Sequence, residues 1–193
     1  QPGSDTINYH DTRRHNADNT PTDVELTADG KPRWKYKASM EGIGESSPAV
    51  ANGVVYIGDL AGVFHAVNAK DGSKAWTFKT GSEIKSSPVI AGDLVLIGSY
   101  DTHLYALDAR TGKTRWKLKT DGQVHATPTV VDGTIYFGGC DEQFRAVRLA
   151  DGKVLFAIAL DANTGSSAVV DGTRAYLGTY NNDVVAVDLK ARK

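Results

Sequence analysis

The chain repeats itself at a spacing of 40 residues, and this period constrains its fold more than any other feature of the sequence. Four copies align without a gap, so each copy is one structural unit. Two motifs fix the register. Ser46-Ser47-Pro48 returns as Ser86-Ser87-Pro88, Ala126-Thr127-Pro128 and Ser166-Ser167-Ala168, and Tyr56-Ile57-Gly58 returns as Leu96-Ile97-Gly98, Tyr136-Phe137-Gly138 and Tyr176-Leu177-Gly178.

Each copy has the pattern of four short β-strands separated by turns. In the second copy, turn residues at 91–93, 99–102 and 110–112 divide runs that are rich in Val, Ile, Leu and Tyr. Apolar and polar residues alternate, as in Trp116-Lys117-Leu118-Lys119, which is the period of a half-buried strand. A lone four-stranded sheet cannot bury both of its faces, so the copies must stack face to face. The sequence therefore predicts an all-β protein, a β-propeller of four-stranded antiparallel blades.

Two runs, Leu104 to Trp116 and Val63 to Trp76, resemble the tryptophan-docking repeat of the pyrroloquinoline-quinone-type (quinoprotein-like) β-propellers. The resemblance covers residues 29–193. It implies that one aromatic residue begins the outermost strand of each blade and packs between neighbouring blades. We expect these docking residues, buried at equivalent sites, to be Trp34, Trp76, Trp116 and Phe156.

The repeat divides the chain into a polar, extended N-terminal arm at 1–28 and a propeller at 29–193. Within the propeller, a closing strand and connector at 29–45 precede copies at 46–85, 86–125, 126–165 and 166–193. The last copy lacks a fourth strand. The stretch from Asp29 to Trp34 reproduces the missing turn and strand, because it aligns with Asp71 to Trp76. The N-terminal strand is therefore predicted to complete the last blade.

The resemblance implies a ring of about seven or eight blades, so four blades make about half of an eight-bladed ring. Such a half-ring would expose two apolar blade faces, and large apolar patches rarely stay uncovered on soluble monomers. We expect the strand at Arg33 to Ala38 of one chain to pair with Val184 to Leu189 of another. The result is a closed homodimer or an open polymer. A third alternative is that the chain is part of a longer protein.

Composition removes several classes of partner. The 22 Lys and Arg residues balance 23 Asp and Glu residues, which argues against nucleic-acid binding. The apolar runs are far shorter than the roughly 20 residues of a membrane-spanning helix. The single cysteine, Cys140, excludes an internal disulfide. The chain begins at Gln1 rather than Met, which indicates either a processed N-terminus after removal of a signal peptide or a trimmed chain. On the first interpretation we expect an exported protein that is periplasmic, cell-surface or extracellular.

The residues give little support for catalysis. The resemblance implies a carboxylate, a calcium or lanthanide ion and, in many quinone enzymes, two adjacent cysteines, but this chain has one cysteine and no carboxylate that departs from the repeat. His65, His103 and His125 fall at three different register positions, which argues against a metal cluster. Cys140 lies in a turn with no histidine in register. We predict no catalytic residue, no metal and no cofactor.

One position of the 40-residue repeat carries a different kind of side chain in each copy, as is typical of a binding surface. Glu45, Lys85, His125 and Gly165 each lie just before the strand that begins a copy. The innermost strands of a propeller line its axial channel, so these residues are candidates for a binding rim at one channel mouth, or else for ordinary exposed connectors. The preferred interpretation is a non-catalytic scaffold or self-assembling structural protein that contacts itself or another protein. The alternatives are a fragment of a quinone-dependent dehydrogenase and a ligand-sensing module.

Overall fold

The computed structural model describes residues 32–193, and every regular element in that range is a β-strand. The strands form four antiparallel sheets in chain order, which are the four predicted blades. Blade 1 is β1 (Ala49–Ala51), β2 (Val54–Gly58), β3 (Val63–Asn68) and β4 (Lys74–Lys79). Blade 2 is β5 (Val89–Ala91), β6 (Leu94–Ser99), β7 (His103–Asp108) and β8 (Thr114–Lys119). Blade 3 is β9 (Thr129–Val131), β10 (Thr134–Gly138), β11 (Gln143–Arg148) and β12 (Val154–Ala159), and blade 4 is β13 (Val169–Asp171), β14 (Arg174–Gly178) and β15 (Val184–Asp188).

Tight turns join the first two strands of each blade. In blade 1, Asn52 and Gly53 form the two-residue loop between β1 and β2, and both have a positive φ, of 50° and 73°. Asn-Gly is the preferred pair for such a loop, because its two central residues must both adopt left-handed backbone angles. Asp132 and Gly133 do the same in blade 3. The turn residues of the repeat therefore set the hairpin register.

The core lies between consecutive blades. We call the face of a blade that meets the next blade in the chain its forward face, and the opposite one its rear face. The forward face of blade 1, with Phe64 and Trp76, packs on Val95 and Ile97 of the rear face of blade 2. The same arrangement joins blade 2 to blade 3 and blade 3 to blade 4. Each large side chain buried in this way contributes about 1.5–3 kcal/mol.

The last blade departs from the prediction. Its sheet has three strands, and β15 pairs with β14 and with no other strand in the described part of the chain. The predicted closing strand lies within residues 32–39, which we call the N-terminal segment. These residues do not form a strand in the structure, because none of the described strands pairs with them. The N-terminal segment does not complete blade 4 of its own chain, so strand exchange between chains stays a prediction. The arm at 1–28 lies outside the described residues.

The N-terminal segment nevertheless takes the place of an outermost strand in front of blade 1. Trp34 Nε1 donates to the Ala69 carbonyl at 2.8 Å, as Trp76 Nε1 does to Ala109 at 3.0 Å and Trp116 Nε1 does to Leu149 at 2.9 Å. Each indole ring lies against a turn glycine one blade further on. A Cβ atom at that glycine would be 2.8, 2.5 or 2.6 Å from the ring, at Gly72, Gly112 and Gly152 respectively.

The fourth docking position is built differently. The Phe156 side chain has no N–H group to donate. The turn position occupied by Gly72, Gly112 and Gly152 in the other blades is Arg192 in blade 4. The Arg192 guanidinium carbon lies 5.5 Å from the centre of the Phe156 ring. All four aromatic side chains are partly exposed rather than buried. The prediction of buried sites was therefore too strong, because an outermost strand has one blade neighbour beneath it and solvent along its rim.

Candidate functional site

The four predicted channel-mouth positions lie together in the structure. The Glu45 carboxylate is 3.6 Å from Lys85 Nζ and 3.2 Å from His125 Nε2, although Glu45 and His125 belong to copies two apart. A Cβ atom at Gly165 would lie 3.4 Å from the His125 ring. The Glu45 side chain is 57% exposed and that of Lys85 is 22% exposed. This group, which we call the mouth cluster, is thus open to a partner on one side.

Two further residues belong to the mouth cluster and were missed by the sequence analysis. The Tyr100 hydroxyl donates to His125 Nδ1 at 2.6 Å, and the Lys85 ammonium sits 4.7 Å from the centre of the Tyr100 ring. Glu83 lies 3.4 Å from Lys85. Burial raises the pKa of Tyr100, so the phenol keeps its proton and can donate it in its hydrogen bond to His125. On the other side of the His125 ring, Nε2 lies within ion-pair distance of the Glu45 carboxylate.

A ladder of hydrogen bonds holds the mouth cluster in place and accounts for the repeated Ser-Ser-Pro motif. The Ser47 N–H donates to Ser87 Oγ at 3.0 Å, and the Ser87 N–H donates to Thr127 Oγ1 at 3.1 Å. Ser86 Oγ donates to the Ala126 carbonyl at 3.2 Å. Each bond links one copy to the next just before the innermost strands begin. The residues immediately before this ladder are those of the mouth cluster.

Blade 1 contains a buried carboxylate that the sequence analysis overlooked. Asp59 is fully buried. Its carboxylate accepts hydrogen bonds from His65 Nε2 at 2.7 Å and from the Val63 N–H at 2.7 Å. On the other side of the imidazole ring, His65 Nδ1 accepts a hydrogen bond from the Tyr36 hydroxyl at 3.0 Å. The statement that no carboxylate departs from the repeat is wrong, because the positions equivalent to Asp59 are Ser99, Gly139 and Thr179. Burial by itself would raise the pKa of Asp59, but the hydrogen bonds from His65, Val63 and Ser39 hold it below its ordinary value.

The buried pair in blade 1 has counterparts in the next two blades. Tyr105 donates to Asp101 at 2.7 Å, and Arg145 makes two bonds to Asp141 at 2.8 and 2.6 Å. His65, Tyr105 and Arg145 occupy one register position, so an acid from the preceding turn fixes each of these side chains. His65 is therefore a packed residue with a structural partner. Blade 4 has Val185 at this position.

Three structural features bear on metal binding and nucleophilic chemistry in the described part of the chain. No group of three or more His, Cys, Asp or Glu side chains within residues 32–193 is arranged to hold a metal ion. Asp59 is already committed to His65. Cys140 is partly buried, and burial together with the charge of Asp141 raises the pKa of its thiol. A raised thiol pKa lowers the thiolate fraction and with it the nucleophilicity.

The forward face of blade 4 differs from those of the other blades, because no blade within residues 32–193 packs against it. Val184 is 81% exposed, whereas Phe64, Leu104 and Phe144, at the same register position, are fully buried. Val169 and Tyr180 of the same blade are 58% and 68% exposed. Apolar side chains of the kind that join the blades are therefore left open at this end of the structure.

Comparison with known proteins identifies the family. The sequence model of the family described as outer membrane protein assembly factor BamB matches residues 17–89 and 79–191. These matches cover most of the chain, and the chain belongs to this family of quinoprotein-like repeat propellers. The predicted resemblance and the predicted β-propeller fold are both confirmed.

Solved structures share the fold at low sequence identity. BamB from Moraxella catarrhalis is 21% identical with a TM-score of 0.71, over 82% of this chain and 50% of that one. The computationally designed Ika4 protein is 13% identical with a TM-score of 0.74, over 83% of this chain and 99% of that one. The quinohemoprotein alcohol dehydrogenase ADHIIG from Pseudomonas putida HK5 is 19% identical with a TM-score of 0.66, over 80% of this chain and 34% of that one. The chain thus spans about half the length of the BamB structure.

No curated protein sequence matches the chain. Within residues 32–193 there is no helix with the length and apolar character needed to cross a membrane.

Proposed function

We propose that this protein is a non-catalytic β-propeller scaffold that acts through protein–protein contacts and assembles with copies of itself. The observation that carries the proposal is the open forward face of blade 4, where Val184 is 81% exposed. In the three other blades the same face forms a blade interface. A surface with the composition of an interior interface is suited to bind another blade.

Family membership supports a role in protein contacts. The family description names an assembly factor for outer membrane proteins, and the BamB structure shares this fold. On the same ground we propose that the chain is exported and works in the periplasm, at the cell surface or outside the cell. The mouth cluster, with its exposed Glu45, offers a second and more polar surface for a partner protein.

The competing function is that of a quinone-dependent dehydrogenase, of which this chain would be a part. The fold shared with the alcohol dehydrogenase ADHIIG supports it, and the donor set of the described residues speaks against it. A ligand-sensing propeller module is a further alternative on the same fold. Titration of the chain with pyrroloquinoline quinone and Ca²⁺ separates these functions, and we expect no bound-quinone absorbance. Saturable quinone binding would favour the enzyme.

Sedimentation equilibrium of the intact chain tests the scaffold proposal. We expect a particle of twice the 20.6 kDa chain mass, or a larger polydisperse mass if the contacts form an open polymer. Val184→Glu should reduce the particle to a monomer, because it puts a charge into the contact surface. Leu155→Glu is the matched control, since Leu155 is also exposed, at 42%, but lies on the outermost strand of blade 3. A wild-type monomer at all accessible concentrations would contradict self-assembly.

The mouth cluster provides a second control. Replacing Glu45, Lys85 and His125 together by Ala should leave both the fold and the particle mass unchanged, because none of the three is among the exposed apolar side chains of blade 4. Circular dichroism and sedimentation measure the two properties. Loss of the oligomer in this variant would relocate the self-association surface to the channel mouth.

A further inference from the structure

We propose that the N-terminal segment of a second copy forms the missing fourth strand of blade 4, pairing antiparallel with β15. This inference rests on the proposed self-assembly and names its mode. Two strand edges have no strand partner in the described chain, that of β15 and that of the N-terminal segment. An unpaired strand edge presents free N–H and C=O groups and accepts a further strand readily.

The N-terminal segment already has the side-chain pattern of a fourth strand. Trp34 and Tyr36 are partly buried and alternate with the exposed residues Arg33, Lys35 and Lys37. The fourth strands of the complete blades, β4, β8 and β12, show the same alternation at the same positions. Tyr36 also packs edge-on against His65 with ring centres 5.4 Å apart, as Phe78 packs against Tyr105 at 5.3 Å. The contacts with the blade behind this strand are therefore in place, whereas none of the described strands pairs with it.

The strongest argument is a cross-strand pair that each complete blade contains. The docking aromatic residue always lies opposite an alanine of the third strand, in the pairs Ala66↔Trp76, Ala106↔Trp116 and Ala146↔Phe156. In blade 4 the equivalent alanine, Ala186, is exposed; it pairs with Tyr176 of β14, and no described strand lies along its other side. Trp34, in turn, lies opposite no alanine in that part of the chain. Joining the two gives the pair Ala186↔Trp34 and fixes the register of the added strand.

This register gives chemically matched neighbours. Tyr36 falls opposite Val184, just as Phe78, Leu118 and Ile158 fall opposite Phe64, Leu104 and Phe144. Tyr36 would thus cover the most exposed large apolar side chain of blade 4. One position further, Lys37 falls opposite Asp183, and opposite charges at facing positions of an antiparallel pair stabilise the pairing. The side-chain pattern, the alanine–aromatic pair and the charges all select one register.

The free edge of β15 is also accessible, because Val184 and Ala186 of this strand are exposed. A cavity of about 190 Å³ lies between blades 3 and 4, where Ile158 and Leu160 meet Val185 and Val187 of β15. Thr179 lines the same cavity, and its buried hydroxyl has no hydrogen-bond partner among residues 32–193. The pairing also brings the forward face of blade 4 onto the rear face of blade 1 of the second copy. Two such contacts related by a twofold axis close a ring of eight blades.

Disulfide trapping between two single-cysteine variants tests the pairing and its register. Lys37→Cys and Asp183→Cys are made separately in a Cys140→Ser background and then mixed and oxidised. We expect a covalent dimer in the mixture and in neither variant alone, because the facing cysteines belong to different chains. Lys35→Cys mixed with Asp183→Cys is the register control and should yield at most about a fifth as much dimer. Equal yields from the two mixtures would overturn the register.

Charge reversal gives an independent measurement. Lys37→Glu and Asp183→Lys should each weaken self-association about fivefold, since each places like charges opposite one another. The double variant should recover the wild-type association constant. Both substitutions lie at exposed positions, so the fold is retained. If the chain forms the dimer but shows neither selective trapping nor charge rescue, this inference fails while the proposed self-assembly stands; a wild-type monomer removes both.

Discussion

The forward faces of blades 3 and 4 carry residues of the same kind at the same positions and differ in what covers them. Tyr136, Phe144 and Ala146 of blade 3 correspond to Tyr176, Val184 and Ala186 of blade 4. Phe144 is fully buried against blade 4, whereas Val184 is 81% exposed. In a stack of repeats, burial at a given position is thus decided by the neighbouring repeat and not by the local sequence.

The sharpest test of this comparison replaces the two equivalent residues. Phe144→Ala should lower the free energy of unfolding by about 3–5 kcal/mol, because it leaves a cavity between blades 3 and 4. Val184→Ala should cost less than about 0.5 kcal/mol when the chain is monomeric, as an exposed side chain does. Urea unfolding in a Lys37→Glu background, where self-association is weakened, measures both values. Similar costs at the two positions would show that blade 4 is covered in the monomer.

A second comparison concerns two turn glycines of blade 2. Gly112 has a φ of +71° and faces the Trp76 ring, where a Cβ atom would be 2.5 Å from Cε3. Gly92 has a φ of +61° and no atom within 4 Å of the Cβ position. Gly92→Ala should therefore cost about 1 kcal/mol from backbone strain alone, and Gly112→Ala about 3 kcal/mol because the Trp76 ring must also move. Chemical denaturation compares the two.

The fluorescence of the protein reports on the same comparison. If Trp76 docks on Gly112 as described, Gly112→Ala should change tryptophan emission in the folded state and Gly92→Ala should leave it unchanged. If tryptophan emission is unchanged in Gly112→Ala, and both variants lose the same unfolding free energy, Trp76 does not dock on Gly112.

Much of this architecture follows from the sequence because a repeat multiplies weak signals. One Trp-containing strand is ambiguous, but three copies of the same offset from a turn glycine locate Trp76, Trp116 and Phe156. The channel-mouth positions were found in the same way, by comparing copies. The structure brings Glu45, Lys85 and His125 together as the register predicts, whereas their role in binding stays a prediction.

Contacts that occur in a single copy cannot be found by comparing copies, although the comparison does show that Asp59 departs from the repeat. Asp59 and His65 form a pair only in blade 1, and the turn between them decides that their side chains meet. The partner of His65 in the N-terminal segment, Tyr36, is outside the regular repeat. The distance between Glu45 and His125 likewise depends on side-chain conformations rather than on spacing in the sequence. Register differences were the only available signal, and Asp59 shows one.

The smallest expected effects come from comparing two similar sets of polar contacts. In the interior, hydrogen bonds link Tyr36, His65 and Asp59. In the mouth cluster, a hydrogen bond joins Tyr100 to His125, and His125 lies 3.2 Å from the Glu45 carboxylate. Asp59 is fully buried, whereas the Glu45 side chain is 57% exposed. Asp59→Asn should cost about 2 kcal/mol at pH 7, because it weakens a buried charge-assisted bond, and Glu45→Gln less than about 0.5 kcal/mol.

The cost of Asp59→Asn should also depend on pH, because the folded protein holds the pKa of Asp59 below its ordinary value. A carboxyl whose pKa is lowered by folding stabilises the folded state above its unfolded-state pKa of about 3.9, and this stabilisation is lost as the pH falls through the folded-state pKa. The difference in unfolding free energy between wild type and Asp59→Asn should therefore be largest from pH 5 to 7 and shrink below about pH 4. Urea midpoints at pH 7, 5 and 3 measure this trend. A difference that grows as the pH falls would mean that Asp59 is protonated in the folded protein and that its bond to His65 is not an ionic one.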